Sequence, residues 1–407
     1  MEKANADMAN FTNPKNVPIL SEISGGLTDI LAEYYKDSEI IATWDPITQL
    51  QPNFPAANID VKSNDFVTGL SNVGHGLQRA VILTVLRYMA DHRAKQSSKT
   101  TEFVEAQSDL ILAIEEPEIY QHPTKQRLFS RLLRKLTEAF NPDSGIRVQT
   151  IFVTHSPLLV SVGECESIRL VRSVQENGKR HVKVNELSLG ECSKLSAIAS
   201  GRKPEDAWSA AQFRAKLHVF DSKLSEGFFS GCVVLVEGIG DEAVLDAWYR
   251  VRDRNPHAEG IAICQVGGKK KLDKPIIVFE QLGIPCYWIF DNDKTSKPKE
   301  AVEAVKTNRI LQNLAGVDSS KCEDWPVGRF SKFACWDTRI EQYISDRVGV
   351  EAFDVTRKKL ADLHDIDQDT CLKYPVSAAG MLYHFCEAGF TFPELDEILE
   401  KIDGLMT

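Results

Sequence analysis

The sequence predicts an α/β fold with two successive strand-and-helix units, and two observations support this. Two uninterrupted apolar runs, residues 232–236 and 287–290, end in carboxylates, which is typical of buried parallel strands with functional groups beyond their carboxyl ends. Upstream, apolar runs of strand length alternate with longer helical stretches between residues 58 and 184. The strands predicted there are 109–114, 148–153 and 167–171, and the helices are 77–92 and 124–140.

The domain organisation follows from these patterns. A chain of 407 residues is long enough for two ordinary domains, and 43% hydrophobic content is enough for their cores. Residues 1 to about 60 mix polar turns with short apolar pieces, and Pro46, Pro52 and Pro55 break any long helix in the second half of that stretch, which is interpreted as an arm or a remnant. The predicted segments are the arm or remnant at 1–57, the first unit at 58–187, a polar helical connector at 188–228 and the second unit at 229–407.

Composition and charge limit the classes of function. The net charge of −10 argues against a protein that coats nucleic acid through bulk positive charge. Because salt screens charge over about 10 Å, a local basic strip can still face a phosphate backbone while the rest of the surface is acidic. The lysines that would form such a strip, unless they are simply a solvated face, are Lys269, Lys270, Lys271, Lys274, Lys294, Lys297 and Lys299.

The sequence favours a cytoplasmic protein without a membrane partner. No stretch approaches the roughly 18 uninterrupted apolar residues of a membrane span, and the N-terminus lacks the basic and apolar regions of a signal peptide. The nine cysteines are scattered singly, without a CxxC pair. We therefore expect neither a zinc site nor a disulfide framework.

Two strand ends of the first unit carry candidate nucleotide chemistry. The strand ILAIEEPE at residues 111–118 contains adjacent acids, Glu115 and Glu116. In nucleotide-hydrolysing folds the first such acid holds Mg²⁺ and the second polarises the attacking water. His155 follows the next apolar strand, where its imidazole would contact a terminal phosphate. Taken singly, strand-end acids and a lone histidine are equally typical of purely structural positions.

A glycine-containing turn precedes these strands. LSNVGHGLQR at residues 70–79 places exposed amides before an apolar helix, which suits an anion, and Gln78 and Arg79 add side-chain donors. In this order the segments resemble an ABC-type ATPase head, with a signature motif, a Walker B strand and a switch histidine. QHP at residues 121–123 resembles its D-loop. The nucleotide-site residues that the resemblance implies are Ser71, Gly74, Gly76, Gln78, Glu115, Glu116 and His155.

One part of such a head is missing from the sequence. The chain contains no GxxxxGK(S/T), the loop that cradles phosphate, and VGGKKK at residues 266–271 lacks the spacing. The resemblance therefore implies the C-terminal portion of a longer protein or one half of a split one. ATP would then bind together with a partner chain that carries the loop, with Ser71 and Gly74 acting in trans. The resemblance also implies a homodimer, formed through the ATPase or the nuclease region. Whether this chain hydrolyses ATP alone stays open.

The second unit carries a separate group of acids. VEGIGD at residues 236–241 supplies Glu237 and Asp241, and DND at residues 291–293 supplies two more. If the two preceding strands are neighbours, these carboxylates converge at one edge of a sheet. Carboxylates so placed repel one another unless cations lie between them, and hard oxygen ligands suit Mg²⁺ or Mn²⁺. The structural alternative is a set of helix caps and turn residues.

These acids resemble those of a Toprim domain, the metal-binding fold of some topoisomerases, primases and nucleases. GIAICQVGGK at residues 260–269 is interpreted as the intervening strand with a glycine turn. Glu341 and Lys373 lie roughly where nucleases of this kind place an additional carboxylate and a lysine, although both are also ordinary surface residue types. An ABC-type head followed by a Toprim domain resembles the OLD (overcoming lysogenisation defect) family of nucleases.

The resemblance implies a Mg²⁺- or Mn²⁺-dependent DNA endonuclease with a role in phage defence or DNA processing. Two cations about 3.5 to 4 Å apart would activate water and relieve charge on the attacked phosphate. Lys373 would stabilise the transition-state phosphate, since a protonated lysine cannot bind metal. The residues implied in catalysis are Glu237, Asp241, Asp291, Asp293, Glu341 and Lys373, of which all but the lysine are implied metal ligands.

Other functions stay open at this point. A DNA-binding or regulatory subunit of the ABC type would use the incomplete head for assembly, and it would not cleave DNA by itself. A topoisomerase or primase is less consistent with the sequence, because no zinc-ribbon cysteines and no identifiable nucleophilic tyrosine are found.

Overall fold

The computed structural model describes residues 18–32, 38–44, 57–63, 65–97, 110–138, 148–160, 162–176 and 178–406. The chain divides into two compact units, Met1–Leu159 and Val160–Thr407. Both combine helices with sheets that include parallel strands, which confirms the predicted α/β class. Pro46, Pro52 and Pro55 lie outside the described residues.

The first unit begins with a helix and a three-stranded antiparallel sheet of order β1-β2-β3. Its elements are α1 (Pro18–Ala32), β1 (Ser38–Trp44), β2 (Ala57–Ser63), β3 (Phe66–Gly69) and α2 (His75–Ser97). Leu27 and Leu31 of α1 share a buried core with Ile40, Val61 and Val81. The described part of the predicted arm is therefore packed, which favours the remnant interpretation over a free arm.

A strand, a helix and a second strand follow in the first unit. They are β4 (Leu110–Glu115), α3 (Pro123–Glu138) and β5 (Val148–Val153). The two strands pair in parallel, and Leu112 is buried with Phe129 and Leu132 of the helix. These bounds agree with the predictions to within two residues, although predicted residues 109, 139 and 140 lie outside the described residues.

A two-stranded antiparallel hairpin opens the second unit. It consists of β6 (Arg169–Glu176) and β7 (Lys179–Glu186). The strand predicted at 167–171 was assigned to the α/β pattern of the first unit, and this assignment is wrong. The physical reason is its alternation of apolar and charged residues, which suits a partly solvated antiparallel ladder rather than a buried parallel strand.

The segment predicted as a connector is helical, as expected, but it is part of the second core. It contains α4 (Leu189–Ala199) and α5 (Ala210–Ala215), which begin at the capping residues Ser188 and Ser209. Leu189 and Phe213 are buried in the same core as Leu235 of the central sheet. The segment therefore covers one face of that sheet.

The central sheet of the second unit has the strand order β11-β12-β10-β8-β9, and only the edge strand β11 is antiparallel. Its strands and the helices between them are β8 (Cys232–Val236), α6 (Ile239–Val251), β9 (Ile261–Gln265), α7 (Asp273–Gln281), β10 (Cys286–Asp291), α8 (Pro298–Leu314), β11 (Gly328–Arg329) and β12 (Phe333–Trp336). All residues of β8 are buried. This confirms the prediction of a central strand covered on both faces.

Four further helices complete the second unit. They are α9 (Ile340–Val348), α10 (Val350–His364), α11 (Pro375–Glu387) and α12 (Pro393–Met406). Ile344, Met381 and Ile398 pack in one core with Val234 and Tyr287, on the face of the sheet opposite to α4 and α5. The strand ends are thus fixed between two apolar layers.

All nine cysteines are free thiols, and eight of them are buried. Burial raises the thiol pKa, for Cys264 to about 12. They pack as small apolar side chains. None of the described helices is both long enough and apolar enough to cross a membrane.

Candidate functional site

The acids of the second unit meet where the two central strands end. β8 and β10 are adjacent and parallel, with Val236 opposite Ile289, so Glu237 and Asp291 follow at the same edge. The Glu237 carboxylate accepts hydrogen bonds from the amide of Asp291 at 2.7 Å and from the amide of Lys269 at 3.2 Å. One side chain thereby connects the segments after three neighbouring strands.

Asp241 lies in the first turn of α6. Its Oδ2 accepts a hydrogen bond from the amide of Gly238 at 3.0 Å, which caps the helix. Asp241 is therefore a helix cap, which is the structural alternative that the sequence left open. The capping hydrogen bond uses Oδ2 and leaves Oδ1 for other partners. A carboxylate is also favourable here because the N-terminus of a helix carries partial positive charge.

Glu341 and Lys373 approach the same helix from a distant part of the sequence. Glu341 lies in the first turn of α9, and Lys373 ends a short 3-10 helix, Gln368–Lys373. A Cβ atom placed on Gly240 would lie 3.0 Å from Oε1 of Glu341 and 4.0 Å from Cγ of Lys373. The structure therefore brings these two side chains together beside Asp241.

If this edge is the nuclease site that the Toprim resemblance implies, Gly240→Ala is expected to reduce DNA cleavage about tenfold, since the added methyl group displaces the Glu341 carboxylate. Stability should change by less than about 1 kcal/mol, because Gly240 lies in the first turn of α6, where alanine is also accommodated. The matched control is Gly404→Ala in α12, where a Cβ would meet nothing within 4 Å. Equal cleavage rates for the two variants would contradict the close packing at Gly240.

The carboxylates of this edge perturb one another strongly. Burial, followed by the charges of Glu237, Asp241, Asp293 and Glu341, raises the pKa of Asp291 to about 9. Burial and the charges of Glu237 and Glu341 raise the pKa of Asp241 to about 7. Burial also raises the pKa of Glu237, although the Asp291 amide and Lys269 oppose the shift. Folding thus holds several acids where their ionised forms are poorly stabilised.

The Asp-Asn-Asp segment is held by its middle residue. The Asn292 side chain is fully buried and donates to Oδ1 of Asp337 at 3.1 Å. The backbone N–H of Asn292 donates to the Trp336 carbonyl at 2.9 Å. Asp293 has a left-handed backbone with φ of 59° and a side chain that is 46% exposed. Asn292 therefore anchors the turn, and Asp291 and Asp293 lie on either side of it at the end of the strand.

This donor set fits a hard divalent cation. Five carboxylates share one sheet edge, and those of Asp291 and Asp241 have pKa values that a nearby cation would lower. Within the part of the chain that the structure describes, no three His, Cys, Asp or Glu side chains are arranged so that together they could hold a metal ion. The fit is therefore one of chemistry, since carboxylate oxygens suit Mg²⁺ or Mn²⁺.

A cleft of about 570 Å³ begins at the acids. Its lining includes Glu237 and Asp293 on the acidic side and Lys270, Lys271 and Lys299 among its cations. Fewer lysines line this cleft than the predicted basic strip contains. Lys269 lines the cleft but is only 6% exposed, and Lys274 forms a close ion pair with Asp273. Lys294 and Lys297 are exposed but do not line the cleft.

The segments that resemble an ATPase head also meet within the first unit. The Arg79 guanidinium donates to the carbonyl of Glu116 at 2.5 Å, and the Gln121 amide donates to the carbonyl of Gly76 at 2.9 Å. Nε2 of His155 lies 3.4 Å from Oε1 of Glu116. The signature-like turn, the Walker B-like strand, the D-loop-like segment and the histidine are thus neighbours.

Gln78 and Arg79 were predicted to donate to an anion, and in this structure both side chains donate to protein carbonyls. The Gln78 amide donates to the carbonyls of Ser71 at 3.3 Å and Val73 at 2.9 Å. These contacts shape the turn, while the side of the turn that carries Ser71 and Gly74 is exposed.

The sequence did not single out Glu118 in this region. Its Oε1 accepts a hydrogen bond from the amide of His155 at 2.7 Å, and its Oε2 is buried without a hydrogen-bond partner. Glu118 therefore positions the backbone of the histidine that contacts Glu116. The only sequence signal was its place in the run EEPE, where three acids compete for the same interpretation.

Two family models match the chain. The AAA ATPase domain matches residues 3–160, and the Toprim domain of proteins like the overcoming lysogenization defect protein matches residues 228–293. The chain is 24% identical over 265 residues to the OLD nuclease of Thermus scotoductus and 23% identical over 279 residues to the Old nuclease of Escherichia phage P2. These alignments cover 64% and 67% of this chain, but 43% and 42% of the relatives. The chain thus spans less than half the length of the curated relatives it matches.

Solved structures are also similar in part. The C-terminal region of the Burkholderia pseudomallei OLD protein is 19% identical with a TM-score of 0.33, covering 44% of this chain and 100% of that chain. The C-terminal region of the Xanthomonas campestris pv. campestris OLD protein is 17% identical with a TM-score of 0.30, covering 44% of this chain and 95% of that chain.

Proposed function

We propose that this chain, which belongs to the OLD family, is a metal-dependent nuclease whose catalytic site is the carboxylate edge of the second unit. The observation that carries the proposal is that Glu237, Asp291 and Asp293 lie at the ends of two adjacent parallel strands, where the charges of Asp241 and Glu341 from two helices also act on Asp291. Burial and mutual repulsion at that edge are costly for a fold, and a divalent cation offsets both. The substrate class is nucleic acid, in agreement with the names of the curated relatives.

In this proposal the chain supplies ligands from three segments. Glu237, Asp241 and Asp291 would hold one cation, and Asp293 and Glu341 would help to hold a second. When bound, Mg²⁺ or Mn²⁺ lowers the pKa of a water molecule and offsets charge on the attacked phosphate. The protein's part is to fix the carboxylates, since Glu237 is oriented by two amides and Asp241 by one.

Lys373 has a different proposed role. It is exposed, and its side chain lies beside Gly240 of α6, as the Glu341 carboxylate does. A protonated amine in this position stabilises the negative charge that develops on a phosphate during hydrolysis. The residue is therefore assigned to the transition state and not to metal binding.

The cleft provides a path for the strand that is cut. Its cationic lining includes Lys271 and Lys299, and it opens next to Glu237 and Asp293. Phosphates on one side of the scissile bond would lie along these lysines while the scissile phosphate meets the acids. Backbone contacts of this kind give affinity without sequence preference.

We expect Lys271→Gln and Lys299→Gln each to weaken DNA binding, because each removes one phosphate contact. The slope of log binding constant against log salt concentration should become shallower by about 1 in each variant. The rate at saturating DNA should change less than the affinity does. Lys359→Gln, an exposed lysine of α10, is the matched control. Fluorescence anisotropy with labelled DNA in Ca²⁺ at several salt concentrations measures both quantities, and unchanged slopes would place the DNA elsewhere.

The direct test compares cleavage with binding on one DNA. Supercoiled plasmid is incubated with the purified chain in Mg²⁺ or Mn²⁺, with and without ATP, and with EDTA. Nicked or linear products that need the metal support a nuclease, and their formation without ATP places the activity in this chain. DNA binding without cleavage under every condition would instead favour the regulatory ABC-type subunit.

We also propose that the first unit confers ATP control only together with a chain that carries a phosphate-binding loop. The proposal is supported by the contacts that join Arg79 and His155 to Glu116, and Gln121 to Gly76, within this unit. ATP should therefore leave cleavage by the isolated chain unchanged. A role in phage defence is the cellular function that family membership suggests, and loss of protection on Asp291→Asn substitution would support it.

A further inference from the structure

Lys269 occupies an unusual position for a lysine. It begins a short 3-10 helix, Lys269–Lys271, after the edge strand β9, yet its side chain is only 5% exposed. Its Nζ donates to the carbonyl of Asp291 at 2.7 Å and to Oδ1 of Asn308 at 3.1 Å, and it lies 2.6 Å from Oδ2 of Asp293. All three ammonium donors are thus directed at protein acceptors.

The local backbone explains how this lysine becomes buried. Gly267 and Gly268 have φ values of 73° and 121°, a region that favours glycine, and they turn the chain back toward the strand end. The Gly268 amide then donates to the Glu237 carbonyl at 2.8 Å, and the Lys269 amide donates to the Glu237 carboxylate. Lys269 therefore contacts the acids through both its backbone and its side chain.

Asn308 fixes the other end of this arrangement. It lies in α8, is fully buried, and donates to the carbonyls of Asn292 at 2.9 Å and Asp324 at 2.8 Å. Because both amide hydrogens are used, its Oδ1 must face Lys269 as an acceptor. The ammonium is consequently held behind the Asp-Asn-Asp turn and cannot swing into the cleft as Lys270 and Lys271 can.

We infer that Lys269 is a positioning residue of the nuclease site, an internal cation that orients Asp293 and the end of β10 for metal binding. This inference rests on the proposed function. Lys269 engages one carboxylate oxygen of Asp293 and leaves Oδ1 for another partner, and it fixes the carbonyl of Asp291 on the same strand end. Groups that orient ligands in this way typically change metal affinity 10- to 100-fold when they are removed.

Two physical effects of Lys269 have opposite signs, and this makes the inference testable. A positive charge close to a cation site weakens metal binding, so removing it would tighten binding if charge were its only effect. Loss of orientation weakens binding instead, because Asp293 and the strand end become mobile before the metal binds. The direction of the change therefore distinguishes a positioning residue from a simple counter-charge.

The experiment measures Mn²⁺ affinity by titration calorimetry for the wild-type chain, Lys269→Met and Lys270→Met. We expect Lys269→Met to bind Mn²⁺ about 10- to 100-fold more weakly. Lys270→Met removes the same charge from an exposed neighbour, 68% exposed, and should change affinity less than about twofold. Equal or tighter binding by folded Lys269→Met would overturn the inference.

A double-substitution cycle with Asp293→Asn supplies a second readout. If Lys269 acts mainly through Asp293, Lys269→Met should weaken Mn²⁺ binding much less in the Asp293→Asn background. An undiminished effect there would contradict the assignment.

Should Lys269→Met fail to fold, Asn308→Ser tests the same anchor and should also weaken Mn²⁺ binding. Unchanged binding by Asn308→Ser would overturn the inference. A wild-type chain that binds no Mn²⁺ would refute the proposed function itself.

Discussion

The variant Asp291→Asn is expected to lose DNA cleavage by at least about 1,000-fold while its fold becomes more stable. Asn is nearly isosteric but cannot carry the charge that a metal ligand needs. In the metal-free protein, burial and neighbouring acids raise the pKa of Asp291 to about 9, so ionisation stabilises the unfolded chain more than the folded one. The amide removes this difference. We therefore expect the free energy of unfolding at pH 7 to rise by at least about 1.4 kcal/mol, the equivalent of one pKa unit.

Plasmid cleavage and urea unfolding in EDTA measure the two effects on the same preparation. Asp253→Asn is the matched control, since Asp253 is an exposed aspartate with φ of 54° that Asn accommodates equally well. It should retain full cleavage and unchanged stability. Near pH 3 the stability gain of Asp291→Asn should disappear, because the carboxyl is then protonated in both states. A variant that loses cleavage only because it unfolds would refute this explanation.

The stability of the metal-free protein should fall as the pH rises, and bound metal should reverse that fall. A carboxyl whose pKa is higher in the folded state stabilises the fold fully below its unfolded pKa, and this contribution is lost as the pH rises through the folded pKa. For Asp291 the interval runs from the ordinary value of 3.8 to about 9, and for Asp241 from 3.8 to about 7. Over the same interval, metal competes with fewer protons and binds more tightly.

Thermal unfolding in EDTA and in Mg²⁺ at pH 6, 7.5 and 9 tests this dependence. We expect the metal-induced rise in Tm to be about 3 °C larger at pH 9 than at pH 6. In Asp291→Asn the pH dependence of the metal effect should shrink, since the group with the largest pKa shift is absent. A metal effect that is the same at all three pH values would mean that the raised acids do not bind the cation.

The sequence was informative where a functional group coincides with a regular pattern. The apolar runs before Glu237 and Asp291 predicted buried strands, and the carboxyl ends of neighbouring parallel strands necessarily share one edge. That geometry alone places the acids together before any atomic detail is known. Glu341 and Lys373 were identified through resemblance, because a separation of 48 residues or more from the acids of the two strand ends leaves no local pattern to follow.

The supporting contacts were beyond sequence reasoning. Lys269 belongs to a run of three lysines that is typical of a solvated face, and only the tertiary position of Asn308 shows that it is buried. Gly240 is an ordinary glycine in sequence, whereas its role depends on the approach of Glu341 from another helix. Such roles are defined by long-range packing, which periodicity and composition do not encode.

The helical segment before the second unit illustrates the same limit. Its polar composition suggested a connector, yet Leu189 and Phe213 are buried against the central sheet. A few apolar residues at the correct positions suffice to cover a sheet face, and they are diluted in the average composition of the segment. In the signature-like turn, the sequence suggested that the Gln78 side chain is a free donor, but it donates hydrogen bonds to the carbonyls of Ser71 and Val73.

The central claim is that the carboxylate edge of the second unit hydrolyses phosphodiester bonds with a divalent cation. The most direct test strips wild-type and Asp291→Asn protein of metal with EDTA, removes the chelator, and follows supercoiled plasmid as Mg²⁺ or Mn²⁺ is added. We predict that wild-type protein cuts only after metal returns, with a rate that saturates, and that Asp291→Asn does not cut at any metal concentration. Equal cutting by the two proteins, or metal-independent cutting by the wild type, would contradict the assignment.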